Sequence, residues 1–206
     1  MTPYKLSAVH HVLEELGAAW TEIDGWRTPA HFGSPEKEAP SLSSAVGLCD
    51  LSFQRKVEFR GRELSRVFPG LPELGRITGG YLCRITHDQA LWIGSPPVPE
   101  TQGCIHMTDR TSGFAQLLLA GPKAPEVLSR LTSLDLRDRD LSCRCAPLAH
   151  INAILLRRDR QQVRAYEILV TREYGEYTWK AVWDAGTPFG ITAFGLEARS
   201  VLEEVK

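Results

Sequence analysis

Two stretches of this chain repeat one pattern, and a chain that carries the same local plan twice is constrained to build two related units. Asp50-Leu-Ser52 leads through Lys56-Val-Glu-Phe-Arg60 to Gly61 and the helix-like run Glu63-Leu-Ser-Arg-Val67. Asp109-Arg-Thr-Ser112 leads through Gln116-Leu-Leu-Leu-Ala120 to Gly121 and Lys123-Ala-Pro-Glu-Val-Leu-Ser-Arg130. Each reads as an aspartate, a polar residue, a strand, a glycine and a helix running back across the sheet. Glycine lacks a Cβ, so it accepts the tight backbone where strand turns into helix and lets the helix approach the sheet closely. Two such units usually enclose a cleft, and clefts of that kind are where small ligands sit.

Around this repeat the punctuation defines the other elements. Val9, Val12, Leu13 and Leu16 recur at helical spacing from Ala8 and stop at Gly17, the residue expected past a helix end. A strand, Ala19 to Ile23, is followed by the turn Asp24-Gly25 and a Pro/Gly-rich loop from Arg27 to Pro40. Tyr81 to Thr86 pairs with Ala90 to Ile93, Cys104 to Met107 is a strand, and Ala149 to Leu156 pairs with Val163 to Val170. Helices are expected over Glu173 to Ala185 and Gly195 to Val205. Hairpins alternate with helices and no long βαβ series is present, so the class is α+β, with two ferredoxin-like halves around a central cleft. The whole chain, 1–206, reads as one domain with lobes 1–97 and 98–206, the stiff Pro96-Pro97-Val-Pro99 lying between them.

With 206 residues, 43% of them hydrophobic, the chain can bury a real core. Its formal charge of -1 gives no basic field that would favour nucleic acid or an anionic membrane. No apolar run nears the roughly 18 residues of a membrane span, and Met1 to Lys5 lacks a signal-peptide layout, so a cytoplasmic location is expected. The five cysteines sit mostly in apolar or strand-like runs and read as reduced, buried thiols. Cys143 and Cys145 would share a strand face, but without a second pair or nearby histidines they make a poor zinc site, and no metal is expected. Arg157, Arg158, Arg160 and Arg164 bracket a hairpin turn and read as solvated, with an anion contact as the alternative.

One charge falls in the wrong place. In Val163-Arg-Ala-Tyr166-Glu167-Ile-Leu-Val170, alternation puts Glu167 with Val163, Ala165 and Leu169, and Tyr166 with Ile168 and Val170; either face could be inward. A buried carboxylate needs a partner, because an unpaired one costs several kcal/mol or takes up a proton. Arg199 lies on the apolar stripe of the last helix, three residues from Leu196 and three from Leu202, and could supply it. Two readings stay open: a structural ion pair, or a ligand site in which the carboxylate accepts two parallel N–H groups from a planar heterocycle. No phosphate loop, dinucleotide fingerprint, zinc-protease motif or serine nucleophile elbow occurs.

Four segments, Asp24-Gly-Trp26-Arg-Thr-Pro29, Val46-Gly-Leu-Cys-Asp50-Leu-Ser52, Leu119-Ala-Gly121-Pro-Lys-Ala124 and Gly195-Leu-Glu-Ala-Arg199, stand in the same order as similar segments of the glycine-cleavage T-protein family of aminomethyltransferases. The resemblance spans about residues 8 to 202. It implies a tetrahydrofolate site in a central channel, with one-carbon transfer at the N5/N10 edge. It also implies that Glu167 holds the 2-amino-4-oxo edge of the pterin and that Arg199 is a folate-site arginine. Trp26, Tyr81 and Tyr166 are the aromatics placed to line a pterin slot. The chain departs from the family where an Asn-Asp pair carries the catalytic carboxylate, since it reads Arg66-Val-Phe68-Pro69-Gly70 there, with Glu73 the nearest acid. The family's Gly-Tyr-Thr-Gly-Glu-Asp-Gly segment is replaced by Arg158 to Arg164, and a domain lacking the family's C-terminal barrel is expected.

In the second half, Ala90-Leu-Trp-Ile-Gly94, Asp109-Arg-Thr-Ser-Gly-Phe-Ala115, Leu131-Thr-Ser-Leu-Asp135-Leu and Ala149-His-Ile151 resemble the gamma subunit of heterotetrameric sarcosine oxidase. The resemblances together imply a tetrahydrofolate-binding, aminomethyltransferase-like protein of one-carbon, methylamine, glycine or sarcosine metabolism with weak or no catalysis. The alternative is a non-catalytic gamma-type subunit partnered by a flavoprotein or amine-oxidase chain.

Overall fold

A computed structural model describes residues 3–70, 73–101, 103–135, 142–159 and 163–201. Strand β1 (Lys5–Leu6) and helix α1 (His10–Glu15) precede the hairpin β2 (Ala19–Ile23) and β3 (Trp26–His31), and the three strands form a small sheet in the order β1-β3-β2. The segment expected to be a loop from Arg27 to Pro40 is instead most of β3 and half of helix α2 (Pro35–Ser44). Proline misleads here for a physical reason. Pro35 opens the helix, where its missing N–H is not needed. Pro40 lies inside it, where its carbonyl accepts from Ser43 Oγ and Ser44 Oγ at 3.1 and 2.9 Å. Leu42 anchors the helix in a cluster with Cys49, Leu51 and Phe194.

The remaining elements are β4 (Val46–Asp50), β5 (Arg55–Arg60), α3 (Leu64–Val67), β6 (Leu74–Ile77), β7 (Gly80–Arg84), β8 (Gln89–Gly94), β9 (His106–Asp109), β10 (Phe114–Ala120), α4 (Ala124–Leu128), β11 (Ser142–Leu148), β12 (Ile151–Arg157), β13 (Ala165–Thr171), α5 (Gly175–Gly186), β14 (Ile191–Ala193) and α6 (Leu196–Val201). The expected extension of the last helix to Val205 lies outside the described residues. Five strands form a sheet in the order β6-β7-β8-β5-β9, and six form a second in the order β11-β12-β13-β10-β4-β14. All neighbours in the two orders are antiparallel except β14, which runs parallel to β4.

The internal repeat is realised as an exchange. Strand β4 precedes β5 in sequence but pairs with β10, while β9 precedes β10 but pairs with β5. Both sheets therefore draw strands from either side of Pro97. The two crossings match bond for bond. Asp50 Oδ1 accepts from Ser52 N at 3.0 Å, and Ser52 Oγ accepts from Gln116 N at 3.1 Å. Asp109 Oδ1 accepts from Thr111 N at 2.9 Å, and Thr111 Oγ1 accepts from Lys56 N at 3.0 Å. Leu51 N donates to Gln116 O, and Arg110 N donates to Lys56 O. This is why the sequence shows Asp-x-Ser/Thr twice: the aspartate closes a side-chain turn, and the hydroxyl two residues on ties it to a residue near the start of the other unit's strand.

Gly61 and Gly121 close these units at the ends of β5 and β10, just ahead of α3 and α4. A Cβ on Gly61 would lie 2.4 Å from Cys104 O, and one on Gly121, which has φ +129°, would lie 2.5 Å from Ala45 O. Both contacts are with the chain entering the exchanged strand, so the glycines let the crossing strand pass.

Helices α1, α4 and α5 cover the outer face of the six-stranded sheet over the largest core, which includes Leu13, Leu117, Leu119, Val127, Ile168 and Trp179. Helix α3 covers the outer face of the other sheet through Leu64, packed with Phe59, Leu82 and Trp92. The inner faces meet at a seam of Leu74, Cys83, Leu91 and Ile93 against Cys143, Leu156 and Leu169. The architecture is thus α+β, and no helix among the described residues is long and apolar enough to cross a membrane. Cys49, Cys83 and Cys143 are buried thiols as expected, whereas Cys104 and Cys145 are exposed. Cys104 sits where the chain enters β9, and Cys145 lies on edge strand β11, so neither is enclosed by neighbours on both sides.

Candidate functional site

Strand β13 is central in its sheet and buried on both faces, so its side chains have no solvated side on which to place a charge. Tyr166, Ile168 and Val170 enter the helix-covered core, and Glu167 and Leu169 face the seam. Glu167 is 1% exposed. The ion pair that holds it is with Arg158, whose Nη2 donates to Glu167 Oε1. Gln116 Nε2 donates to the other carboxylate oxygen at 2.8 Å. The Arg158 guanidinium lies over the Tyr81 ring, 3.9 Å from its centroid.

Arg199, the partner expected for Glu167, joins the same cluster through Gln54. The Gln54 amide stands 2.8 Å from Gln116 Nε2 on one side. Turned the other way, its oxygen accepts from Arg199 Nη1 and Nη2 at 3.3 and 3.2 Å. The Gln54 amide oxygen accepts from Gln116 in one orientation and from Arg199 in the other, and Gln116 Oε1 has no hydrogen-bond partner among the described residues although Gln116 is fully buried. Helix α6, which carries Arg199, is pinned by Glu38: its carboxylate accepts from Phe32 N at 2.5 Å and Gly195 N at 2.8 Å. Replacing Glu38 with alanine removes two charge-assisted bonds and should lower stability by about 2–3 kcal/mol, measurable by urea unfolding.

Of the five residues proposed from sequence, the structure brings together Glu167, Tyr81 and Arg199. Tyr166 points into the opposite core, where the Arg157 guanidinium lies 5.8 Å from its ring centroid. Trp26 lines a cavity of about 410 Å³ with Lys5, Phe53, Arg55 and Asp109. Phe53 and Arg55, which line that cavity, flank Gln54 of the Glu167 cluster in sequence. The reading of Arg157 and Arg158 as solvated is corrected: Arg158 is 9% exposed, and Arg157 pairs with Asp159 at 2.8 Å. Arg158 was within reach of sequence reasoning, because in the β12–β13 hairpin Glu167 pairs opposite Leu156 and the next residue on that face is Arg158. Gln54 and Gln116 carried no such signal, since an uncharged polar residue in a strand looks like any solvent-facing position.

Beside this cluster two further charged side chains, Lys56 and Asp50, are buried at the strand crossing. Lys56 is fully buried and its Nζ donates to Ser52 O and Gln54 O at 3.1 and 2.8 Å. Burial pulls its pKa down to about 7, against the opposing pull of Asp50 and Asp109. Burial also pushes Asp50 up, offset by its bonds from Ser52 and Ser7. No group of three or more His, Cys, Asp or Glu side chains able to hold a metal occurs among the described residues.

The acid nearest to the expected catalytic position does not face this cluster. Phe68 is buried edge-to-face on Phe59, and Glu73 pairs with Arg144 of β11.

Two exchanged-strand sheets with a charge-paired cluster in their seam make up this α+β domain. The GCVT N-terminal domain family matches residues 86–204, and the chain belongs to that family. It is 24% identical to the aminomethyltransferase of Desulforamulus reducens, over 98% of this chain and 64% of that protein. It is 25% identical to that of Streptomyces coelicolor, over 96% and 60%. The chain thus spans less than two thirds of the length of these relatives. Among solved structures, the glycine cleavage system aminomethyltransferase T from Bartonella henselae superposes with a TM-score of 0.76 at 15% identity, over 96% of this chain and 61% of that one. A chain of the heterotetrameric sarcosine oxidase from Corynebacterium sp. U-96 gives 0.64 at 20% identity, over 90% and 96%.

Proposed function

We propose that this chain is a tetrahydrofolate-binding, aminomethyltransferase-like domain of one-carbon, methylamine, glycine or sarcosine metabolism, with weak or no transfer activity. One observation carries the reading: a fully buried carboxylate and a buried amide oxygen lacking a donor lie together beside an aromatic ring in the seam between two sheets. An acceptor-rich, flat-walled niche of that kind suits the planar N–H edge of a 2-amino-4-oxopyrimidine. Arg199 and the Gln54 amide, on the far side of Gln116, present donors to the ligand's acceptor atoms.

Calorimetric titration with a reduced folate tests it. Wild type should bind, and a ligand at about 100 times its Kd should stabilise the fold by roughly 2.7 kcal/mol. In Glu167→Gln an amide donor replaces one acceptor facing the pterin amine, so most of that heat and stabilisation should vanish. No binding by wild type at millimolar folate rejects the reading.

Group transfer needs a positioned acid or base at the reacting nitrogen. With Phe68 in the apolar core and Glu73 engaged by Arg144, transfer from an aminomethylated carrier to tetrahydrofolate should run far below the rate of the full-length relatives. Measurable turnover that disappears in Glu73→Gln would show that Glu73 serves as the acid after all.

A second reading, a non-catalytic gamma-type subunit of a heteromeric sarcosine-oxidase-like complex, is favoured by one observation: the sarcosine-oxidase chain is matched over 96% of its length. Stable co-purification with a flavoprotein or amine-oxidase chain encoded alongside it would select this reading.

A further inference from the structure

The strand registers give a residue-by-residue correspondence across the seam. Leu74, Tyr81, Cys83, Ile85, Leu91 and Ile93 occupy the positions that Cys143, Ile154, Leu156, Arg158, Glu167 and Leu169 hold in the other sheet. The terminal bonds agree, since Ile85 N donates to Gln89 O as Arg158 N donates to Ala165 O. Four of the six pairs carry no charge on either side. The other two break the rule: where one half has Leu91 and Ile85, the other has Glu167 and Arg158. The fold is therefore built stably around an apolar pair at this position, and packing alone gives no reason to bury two ions there, given the desolvation they suffer.

We propose that the Arg158 guanidinium is an internal occupant of the ligand position, competing with the ligand for Glu167. A guanidinium is a planar carbon bearing N–H groups, the same unit that forms the amino edge of a 2-aminopyrimidinone, so a carboxylate and an aromatic face receive both in the same way. Arg158 takes both positions at once, donating to Glu167 and stacking on Tyr81. It does not quench Gln116 Oε1, which still lacks a donor and would gain one from a ligand carrying a further N–H. Arg158 follows the last residue of β12, so its side chain can rotate away while its backbone bond to Ala165 holds the hairpin. A ligand then sees only the fraction of molecules in which Arg158 has withdrawn, and its apparent affinity falls by that fraction. The proposal takes the identity of the competing ligand from the folate reading above, while the occupancy itself rests on the geometry of Arg158.

The experiment uses wild type, Arg158→Gln and Arg158→Ala, titrated with a reduced folate by calorimetry and with methylguanidinium chloride at low millimolar concentration in thermal scans. Both variants should bind folate at least about tenfold more tightly than wild type, since the competitor is gone. Methylguanidinium should raise the melting temperature of Arg158→Ala, leave wild type unchanged, and do nothing for Arg158→Ala combined with Glu167→Gln. Equal folate affinity in all three proteins overturns the competition and leaves folate binding standing. If none binds folate but methylguanidinium stabilises Arg158→Ala alone, the folate reading fails and Arg158 remains the occupant of a guanidine-shaped niche. Absence of both responses overturns the proposal, and should Arg158→Ala not fold, Arg158→Gln carries the folate comparison.

Discussion

Stability will rise with pH between about 7 and 9, and the rise will vanish when Lys56 is replaced by methionine. The folded-state pKa of Lys56 is about 7 and its ordinary value is 10.5. In that interval the unfolded chain holds a proton that the folded one has released, so raising the pH removes the advantage of the unfolded state. A one-proton difference gives a slope of about 1.4 kcal/mol per pH unit, and two units shift the melting temperature of a chain this size by about 5–10 °C. Below pH 7 both states are protonated and the effect is flat. Above about 9 the buried Cys83 thiol, pushed up by its hydrogen bond with Cys143 and by burial, and the Cys145 thiol, pushed up by partial desolvation, begin to oppose the rise. Asp50 acts at the acid end in the opposite sense. Its folded pKa lies above 3.8, so stability falls as pH rises from there through its folded value. Melting curves of wild type and Lys56→Met at pH 7, 8 and 9 decide it, and parallel slopes in the two proteins would show that Lys56 is not the group responsible.

The second large effect belongs to the ion pair in the seam. Glu167→Leu strands the Arg158 cation and Arg158→Ile strands the carboxylate, and each should lose about 3–5 kcal/mol. Together they copy the Leu91 and Ile85 pair of the other half. The double variant should recover to within about 1–2 kcal/mol of wild type, the remainder reflecting the Gln116 amide left without its acceptor. Urea unfolding of the four proteins measures the coupling. Losses that simply add in the double variant would mean that the two residues do not act as a unit.

Much of this could be read from the chain before any coordinates. Asp50-x-Ser52 and Asp109-x-Thr111 announced the repeat, because a side-chain turn followed by a strand is a local pattern, and the glycines at 61 and 121 marked its ends. Alternation in β13 singled out Glu167. What escaped was non-local. Nothing in Val46 to Asp50 says which sheet it joins, since an apolar strand is equally content beside β5 or β10, so the exchange was invisible. Helix α2 was hidden because proline is read as a breaker, although its first turn has no use for the lost N–H. Arg199 was chosen over Arg158 as the partner of Glu167 by reasoning from a helix stripe, when the nearer neighbour across the hairpin turn was the better guide. Tyr166 was misplaced in the opposite way: adjacent residues on a strand cannot both face one pocket.

The exchange of β4 and β9 also decides how the molecule is made and unmade. Each sheet is completed by a strand that the other unit holds covalently, so neither can reach its final hydrogen bonding until both have begun to form. Such a chain has few independent foldons, and its decisive contacts join residues far apart in sequence, which slows folding relative to a chain of locally paired hairpins. A cut in the segment between Gly94 and Cys104 would leave two fragments, each missing one strand of its sheet and carrying one that belongs elsewhere. Mixed together, they have a single way to satisfy both sheets, which is to clasp each other. Seen this way, the protein is a handshake between two similar partners that one polypeptide has made permanent.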